Sequence, residues 1–160
     1  MVGVILKFEG YCDNIFRVLF KDIDIEKYYF TIQFWESYVT GTINFDKEDI
    51  ILSKSTKDEL ISNETKVFPE FLELFLSFEN FKSEIDDYAS FLSSKYFMSI
   101  VIVDHRNIEI CCKNDDLLKK VIENFQNSQL KIKKVKILND ILMSAKLLSN
   151  RSINDVNIYE

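Results

Sequence analysis

Two apolar runs with period-two alternation, separated by four polar residues, constrain the fold of this chain more than any other feature. Residues 97–103 and 108–112 are rich in β-branched and aromatic side chains, and the segment 104–107 between them reads Asp-His-Arg-Asn. These polar types favour turns, and the apolar types that flank them favour strands. The pattern therefore predicts a β-hairpin.

A helix and a further strand are expected directly after this hairpin. Asn114 is a suitable helix N-cap, and Asp115 and Asp116 would interact favourably with the dipole of the first turn. The predicted inner face of this helix consists of Leu117, Leu118, Val121, Ile122 and Phe125. Residues 131–138 predict a last strand, and its lysines are typical of the charged protection of a sheet edge. These lysines are Lys131, Lys133, Lys134 and Lys136.

The first part of the chain predicts a strand, a helix and a second hairpin. Residues 2–8 alternate as a strand, and Asp13 is a candidate N-cap for a helix. The apolar face of that helix is Cys12, Ile15, Phe16, Leu19 and Phe20. Residues 28–35 and 39–45 predict two strands that pair across the polar residues Glu36 and Ser37. Phe34 is expected on the same face as Phe30 and Ile32, and Trp35 on the opposite face.

The middle of the chain is more ambiguous. Residues 56–59 fit a capping box that opens a short helix. Residues 71–78 suit either a helix or a strand, and their clean period of two favours the strand. Ser83 and Asp86 then form a capping-box-like start, which predicts a helix over residues 84–94.

The predicted fold is one α+β domain over residues 1–148, followed by a polar tail over residues 149–160. Pro69 is the sole proline, and the chain has three glycines, so no linker-like stretch divides it. An apolar fraction of 47% with 29% charged residues is sufficient for one core. We expect an antiparallel or mixed sheet with about three main helices packed mostly on one face.

The charge of the chain points to a protein partner. The formal net charge is −6, which argues against general nucleic-acid binding because such binding depends on lysines and arginines that neutralise phosphates. Residues 113–146 hold eight lysines and four acidic residues, a local charge of +4 that leaves the remainder at −10. An acidic body of this kind suits a basic protein partner.

The sequence predicts a soluble, cytoplasmic protein. The longest uncharged apolar run, residues 96–103, is far shorter than the roughly 20 residues that a membrane helix needs. The first residues lack the pattern of a secretory signal. A reducing cytosol would keep Cys12, Cys111 and Cys112 as thiols, and the adjacent pair would point to opposite faces of its strand.

Several segments of the chain resemble the domain-of-unknown-function family 2691. The resemblance covers residues 1 to about 140 and implies no activity, because the family carries none that could be transferred. The similar segments are Val2-Gly3-Val4, Asp22-Ile23-Asp24-Ile25 with Tyr28, Tyr88-Ala89-Ser90-Phe91-Leu92, Ile100-Val101-Ile102-Val103-Asp104, Ile108-Glu109-Ile110-Cys111-Cys112-Lys113 and Asn139-Asp140.

Candidate catalytic chemistry is limited to a few residues. His105 beside Asp104 could act as an oriented general base, although a solvated turn is the preferred interpretation. Cys111 could form a nucleophilic pair with His105 if the fold brought the two side chains together. With a single histidine, no CxxC motif and no glycine-rich phosphate loop, the sequence predicts neither a structural zinc site nor a cofactor.

A carboxylate metal site and a partner-binding surface are the remaining candidates. Asp22, Asp24 and Glu26 would share one face of an extended segment, but a polar connector is the preferred interpretation because the glycine and spacing of an EF-hand are absent. Large aromatic residues are enriched at binding hot spots, and acidic neighbours would steer a basic partner. The predicted partner-binding residues are Tyr29, Trp35, Tyr38, Asp46, Glu48 and Asp49, unless a layer of helices covers the aromatic ones.

Two functions from different classes follow from these patterns. The leading hypothesis is a protein-binding or regulatory module, of the kind in which an immunity protein masks a basic partner. The alternative is a small enzyme that uses dispersed carboxylates or a thiol, because an active site assembled in space leaves no contiguous motif.

Overall fold

The computed structural model describes residues 2–10, 15–40, 50–62 and 66–138 of the chain. Within these ranges the strands are β1 (Gly3–Phe8), β2 (Tyr29–Thr40), β3 (Ile50–Ile51), β4 (Lys66–Ser77), β5 (Tyr96–Val103), β6 (Asn107–Cys112) and β7 (Ile132–Leu138). The helices are α1 (Ile15–Leu19), α2 (Lys54–Ile61), α3 (Tyr88–Ser93) and α4 (Asp115–Gln126). The predicted tail over residues 149–160 lies outside the described residues.

The described strands form one seven-stranded sheet in the order β3-β2-β4-β5-β6-β1-β7. Every pairing between neighbours in this order is antiparallel. The protein therefore has the predicted α+β architecture, and of the two sheet types left open by the sequence it has the antiparallel one.

The hairpin and helix predicted in the second half of the chain are confirmed. Strands β5 and β6 pair with Val103 opposite Asn107. Asn114 caps α4, since its side-chain oxygen accepts a hydrogen bond from the Leu117 backbone N–H at 2.9 Å. Strand β7 lies at one end of the described sheet, as its lysines predict.

The predicted hairpin across Glu36 and Ser37 is wrong, because β2 is one continuous strand that pairs along its length with β4. The register of this pairing shifts between Glu36 and Ser37. The polar pair therefore marks an irregularity of the kind a β-bulge produces, in which the strand continues instead of turning. The remainder of the second predicted strand falls on residues 41–49, outside the described residues.

A second register shift in β2 changes which face each side chain occupies. It lies between Ile32 and Phe34, so Gln33 is an extra residue in the alternation. As a result Phe34 is opposite Glu73, whereas Trp35 is opposite the fully buried Leu72 and packs against the core. The prediction that Trp35 lies on the face away from Phe30 and Ile32 is wrong, because the extra residue exchanges the two faces.

The buried side chains of the described residues form two clusters. The larger cluster contains Val4, Leu6 and Phe8 of β1 together with buried residues of α1, α2 and α4. The second cluster contains Phe75, Cys111 and Leu138 of the sheet with Tyr88 and Phe91 of α3. Cys112 belongs to the larger cluster, so the two adjacent cysteines point to opposite faces as expected.

Helices α2 and α3 begin at positions other than those predicted. Ser53, not Thr56, caps α2, and its Oγ accepts a hydrogen bond from the Thr56 N–H. Helix α3 begins at Tyr88 and is capped by Asp87. It does not begin at residue 84, because the backbone of Ile85 is held by the side chain of Gln33.

Candidate partner-binding surface

The turn that carries Asp104 and His105 lies at one end of the β5–β6 hairpin. Both residues have positive φ angles, of 53° and 54°, and the Arg106 N–H donates to the Val103 carbonyl at 3.4 Å. Positive φ at consecutive residues is the left-handed backbone conformation that tight hairpin turns often require. Asp104 is exposed and His105 is half-buried.

Cys111 is not brought to His105. It is 2% exposed and lies opposite Gly3 and Ser99 in the sheet. Cys111 is four residues beyond Asn107, a distance of about 13 Å along an extended strand. The candidate thiol and the candidate base therefore occupy opposite ends of the same hairpin.

Cys112 lines a depression of about 380 Å³ between α3 and the start of α4. Burial raises the pKa of the Cys112 thiol to about 11, so this group is a neutral thiol at physiological pH. The neighbouring Lys113 amine donates to the Ser94 carbonyl at 2.8 Å and lies 5.0 Å from the centroid of the Phe91 ring. Burial lowers the pKa of Lys113.

The carboxylates considered for a metal site are each close to a lysine. The Nζ–carboxylate distances are 3.8 Å for Lys120 and Asp22, 3.1 Å for Lys27 and Asp24, and 2.6 Å for Lys54 and Glu26. In the described parts of the chain, no group of three histidine, cysteine, aspartate or glutamate residues could hold a metal ion.

The predicted partner-binding residues do not form one surface within the described ranges. Tyr29 is 41% exposed at the start of β2, whereas Trp35 is half-buried against the core. Tyr38 lies in β2 opposite Phe68. The acidic residues Asp46, Glu48 and Asp49 lie outside the described residues.

The structure presents another acidic segment, which sequence reasoning did not identify. Residues 78–87 connect β4 to α3 and are referred to as the strap. The strap is held at three points of the sheet: Thr31 Oγ1 donates to the Phe81 carbonyl at 3.5 Å, Gln33 bonds the Ile85 backbone, and the Ser83 N–H donates to the Tyr96 hydroxyl at 3.2 Å.

The Gln33 side chain anchors the strap through both of its polar groups. Its Nε2 donates to the Ile85 carbonyl at 3.0 Å, and its Oε1 accepts from the Ile85 N–H at 2.9 Å. A side chain with one donor and one acceptor group is suited to this two-bond pairing with a peptide backbone. Gln33 is the extra residue that exchanges the faces of β2, and it is therefore also the residue that holds the strap in place.

The strap is strongly acidic. It contains four carboxylates, which are Glu79, Glu84, Asp86 and Asp87, against the single lysine Lys82. Glu79, Glu84 and Asp86 are exposed, and Glu79 forms a surface ion pair with Lys95 at 2.6 Å. Several like charges in one short segment generate a local negative potential that attracts basic partners.

An aromatic cluster lies at the first residue of the strap. Phe78 stacks on Phe97 with ring centroids 4.5 Å apart, and Tyr28 contacts both rings at 5.4 and 4.9 Å. Phe97 is buried, but Phe78 is 63% exposed. The strand predicted over residues 71–78 includes Phe78, whereas β4 ends one residue earlier, at Ser77. The acidic composition of residues 79–87 was the available signal that the strand had ended.

Comparison with known proteins identifies one family. The family model described as a protein of unknown function (DUF2691) matches residues 1–146. No curated protein and no solved structure matches the chain. Within the described ranges, none of the helices has the length and apolar character required to cross a membrane.

Proposed function

We propose that this chain, which belongs to the DUF2691 family of proteins of unknown function, is a protein-binding module that holds a basic protein partner. The observation that carries the proposal is the exposure of Phe78. A ring that is 63% exposed at the start of a segment with four carboxylates and one lysine combines an apolar anchor with negative charge. Binding hot spots of protein interfaces have this combination of a large aromatic residue and complementary charges.

The position of Phe78 suits contact with a cationic side chain. One face of its ring is supported by Phe97 at 4.5 Å, so the ring is already oriented before a partner binds. An arginine or lysine placed over an aromatic ring is attracted by the negative charge of the ring face. The carboxylates of the strap would add long-range attraction and raise the association rate at low salt.

The enzymatic alternative has weaker support. A nucleophilic cysteine is activated by a lowered pKa or by an adjacent base. The pKa of Cys112 is instead raised to about 11, and Cys111 lies at the opposite end of the hairpin from His105. We therefore propose a binding function, in which the protein regulates a basic partner in the cytoplasm by masking it. As a separate proposal about the fold, three main helices pack mostly on one face of the sheet.

The test is capture from native lysate with matched variants of the tagged protein. The site variants are Phe78→Ala and the double reversal Glu79→Lys with Glu84→Lys, while Asp87 is left unchanged because it caps α3. The controls are Phe34→Ala, which removes another exposed ring, and Asp58→Lys with Glu123→Lys, which reverse two exposed charges on α2 and α4.

The retained protein is identified by mass spectrometry, purified, and titrated against each variant at low and high salt. We expect a basic protein whose affinity falls at least about tenfold with Phe78→Ala. The double reversal should also weaken binding and remove its salt dependence. The controls should bind as the wild type does. Equal binding by all variants, or no retained protein at either salt concentration, would contradict the proposal.

A further inference from the structure

Strand β7 has one side that is unpaired within the described sheet. It is the last strand of the order and pairs with β1 alone among the described strands. Its seven residues run from Ile132 to Leu138 and contain three lysines. An edge strand offers a row of backbone donors and acceptors to which another extended chain can pair.

The register shows which backbone groups of β7 point outward. The Phe8 N–H donates to the Arg106 carbonyl, whereas the Glu9 N–H donates to the Lys131 carbonyl on the β7 side. Val2, which precedes β1, accepts from the Cys112 N–H and donates its own N–H to the Leu138 carbonyl. Within β1 the backbone groups of even-numbered residues therefore point towards β6. Odd-numbered residues of β1 therefore face β7, where Ile5 is opposite Lys136 and Lys7 is opposite Lys134. Since hydrogen-bonded and non-hydrogen-bonded pairs alternate, the backbone groups of Val135 and Ile137 point away from the sheet.

Over residues 134–137, the side chains of β7 are apolar on one face and basic on the other. Val135 and Ile137 are 43% and 60% exposed, and their β1 neighbours Leu6 and Val4 are fully buried. The apolar surface of the core thus continues to the edge, where it is uncovered. On the other face, Lys134 lies opposite Lys7, and Lys136 is exposed beside it.

This pattern differs from simple protection of an edge. Protected edges carry charged residues or prolines in place of exposed apolar side chains. Here two exposed β-branched residues alternate with the lysines, and they coincide with the residues whose backbone groups point outward. Such alternation is complementary to an extended chain with apolar side chains on one face and acidic side chains on the other.

We propose that β7 binds an extended acidic segment of a protein partner, which adds a strand to the sheet. Its apolar residues would lie beside Val135 and Ile137, and its carboxylates beside Lys134 and Lys136. A second copy of β7 is disfavoured as the occupant, since its lysines would face the same lysines. This surface is separate from the strap and does not depend on the function proposed for it.

The test uses a synthetic peptide that alternates valine and glutamate over the length of β7. Controls are a peptide of the same composition with valines and glutamates in separate blocks, and a peptide in which lysine replaces glutamate. Hydrogen exchange by NMR is followed at each β7 amide. We expect the alternating acidic peptide to slow exchange at Val135 and Ile137 more than at Lys134 and Lys136, whose N–H groups already bond β1.

Two variants separate strand addition from charge attraction alone. Val135→Pro removes one outward donor without removing a bond to β1, and we expect it to weaken peptide binding at least about tenfold. The double variant that carries Lys134→Glu and Lys136→Glu has the opposite charge on this face of β7. We therefore expect it to bind the valine–lysine peptide in preference to the valine–glutamate peptide. Ile137→Pro replaces Val135→Pro if that variant does not fold.

Four results would overturn the proposal. The first three are equal binding of the block peptide, unchanged binding by the proline variants, and the absence of exchange protection at Val135 and Ile137. The fourth is protection that rises with protein concentration in the absence of peptide, which would identify a second copy as the occupant.

Discussion

The indole of Trp35 stacks on the ring of Phe16, with centroids 6.4 Å apart and an interplanar angle of 16°. This contact joins β2 to α1 across the core. It exists because Gln33 is an extra residue in the alternation of β2, which turns Trp35 inward and Phe34 outward. Trp35, which as a tryptophan was predicted to bind a partner, is therefore part of the packing between α1 and the sheet.

Replacement of Trp35 by alanine should lower stability. We expect Trp35→Ala to reduce the free energy of unfolding by about 2–4 kcal/mol, because it removes a large ring from the boundary of the core. Phe34→Ala, on the opposite and more exposed face, should cost less than about 1.5 kcal/mol. Urea unfolding of both variants measures the difference, and similar losses would contradict the assigned faces.

The buried amine of Lys57 should contribute more to the free energy of unfolding than the amine of a surface lysine does. Lys57 is 8% exposed, and its Nζ donates to the carbonyls of Ile25 and Tyr28 at 3.3 and 2.9 Å. Lys57→Met keeps the aliphatic stem but leaves both carbonyls without this donor, so we expect a loss of about 1–3 kcal/mol in unfolding free energy.

Lys54→Met is the matched control for Lys57→Met. Lys54 lies on the same helix and forms an exposed ion pair with Glu26, and exposed pairs contribute little. Its chemical-denaturation midpoint should stay close to that of the wild type. A larger shift for Lys54→Met than for Lys57→Met would show that the buried hydrogen bonds are not the stabilising ones.

The adjacent cysteines should react slowly in the native protein. Cys111 and Cys112 are 2% and 3% exposed, and the pKa of Cys112 is raised to about 11 by burial. Since the thiolate is the reactive form, we expect alkylation at neutral pH to be fast in urea and slow without it. Peptide mapping distinguishes this pair from Cys12, and rapid native modification of the pair would contradict its burial.

The cap of α3 should make stability depend on pH in the acidic range. The Ser90 backbone N–H donates to the Asp87 carboxylate at 2.7 Å, and this bond holds the pKa of Asp87 below its ordinary value. The stabilisation is therefore present above the ordinary carboxyl pKa and is lost as the pH falls through the lowered value. Asp87→Ala should lower the melting temperature at neutral pH.

The variant Asp87→Asn separates the contribution of the carboxylate charge to stability from that of the capping hydrogen bond. Asparagine keeps an oxygen that accepts from the Ser90 N–H, so it should retain more stability than alanine does. The difference in melting temperature between wild type and Asp87→Asn should close on acidification, as followed by circular dichroism over a pH series. A difference that stays constant at every pH would show that the charge of Asp87 plays no part.

Part of the fold could be predicted because its signals are local. Each of these signals depends on a few neighbouring residues. They are the turn-favouring residues at 104–107, the helix cap Asn114 and the apolar alternation of β5 and β6. The lysines of β7 likewise indicate an edge strand without reference to other elements. In the strap, by contrast, the capping signal of Ser83 is overridden by hydrogen bonds from Gln33, a residue distant in sequence.

The sequence alone determined the α+β class, the β5–β6 hairpin, the α4 cap and the edge position of β7, since each follows from the periodicity or backbone preference of one segment. The tertiary structure decided the faces of Phe34 and Trp35, the path of the strap and the exposure of Phe78. These depend on register shifts in β2 and on side-chain bonds between distant segments. The physical reason is that one inserted residue in a strand exchanges its two faces, and the partner strand, not the local sequence, determines where that insertion is accommodated.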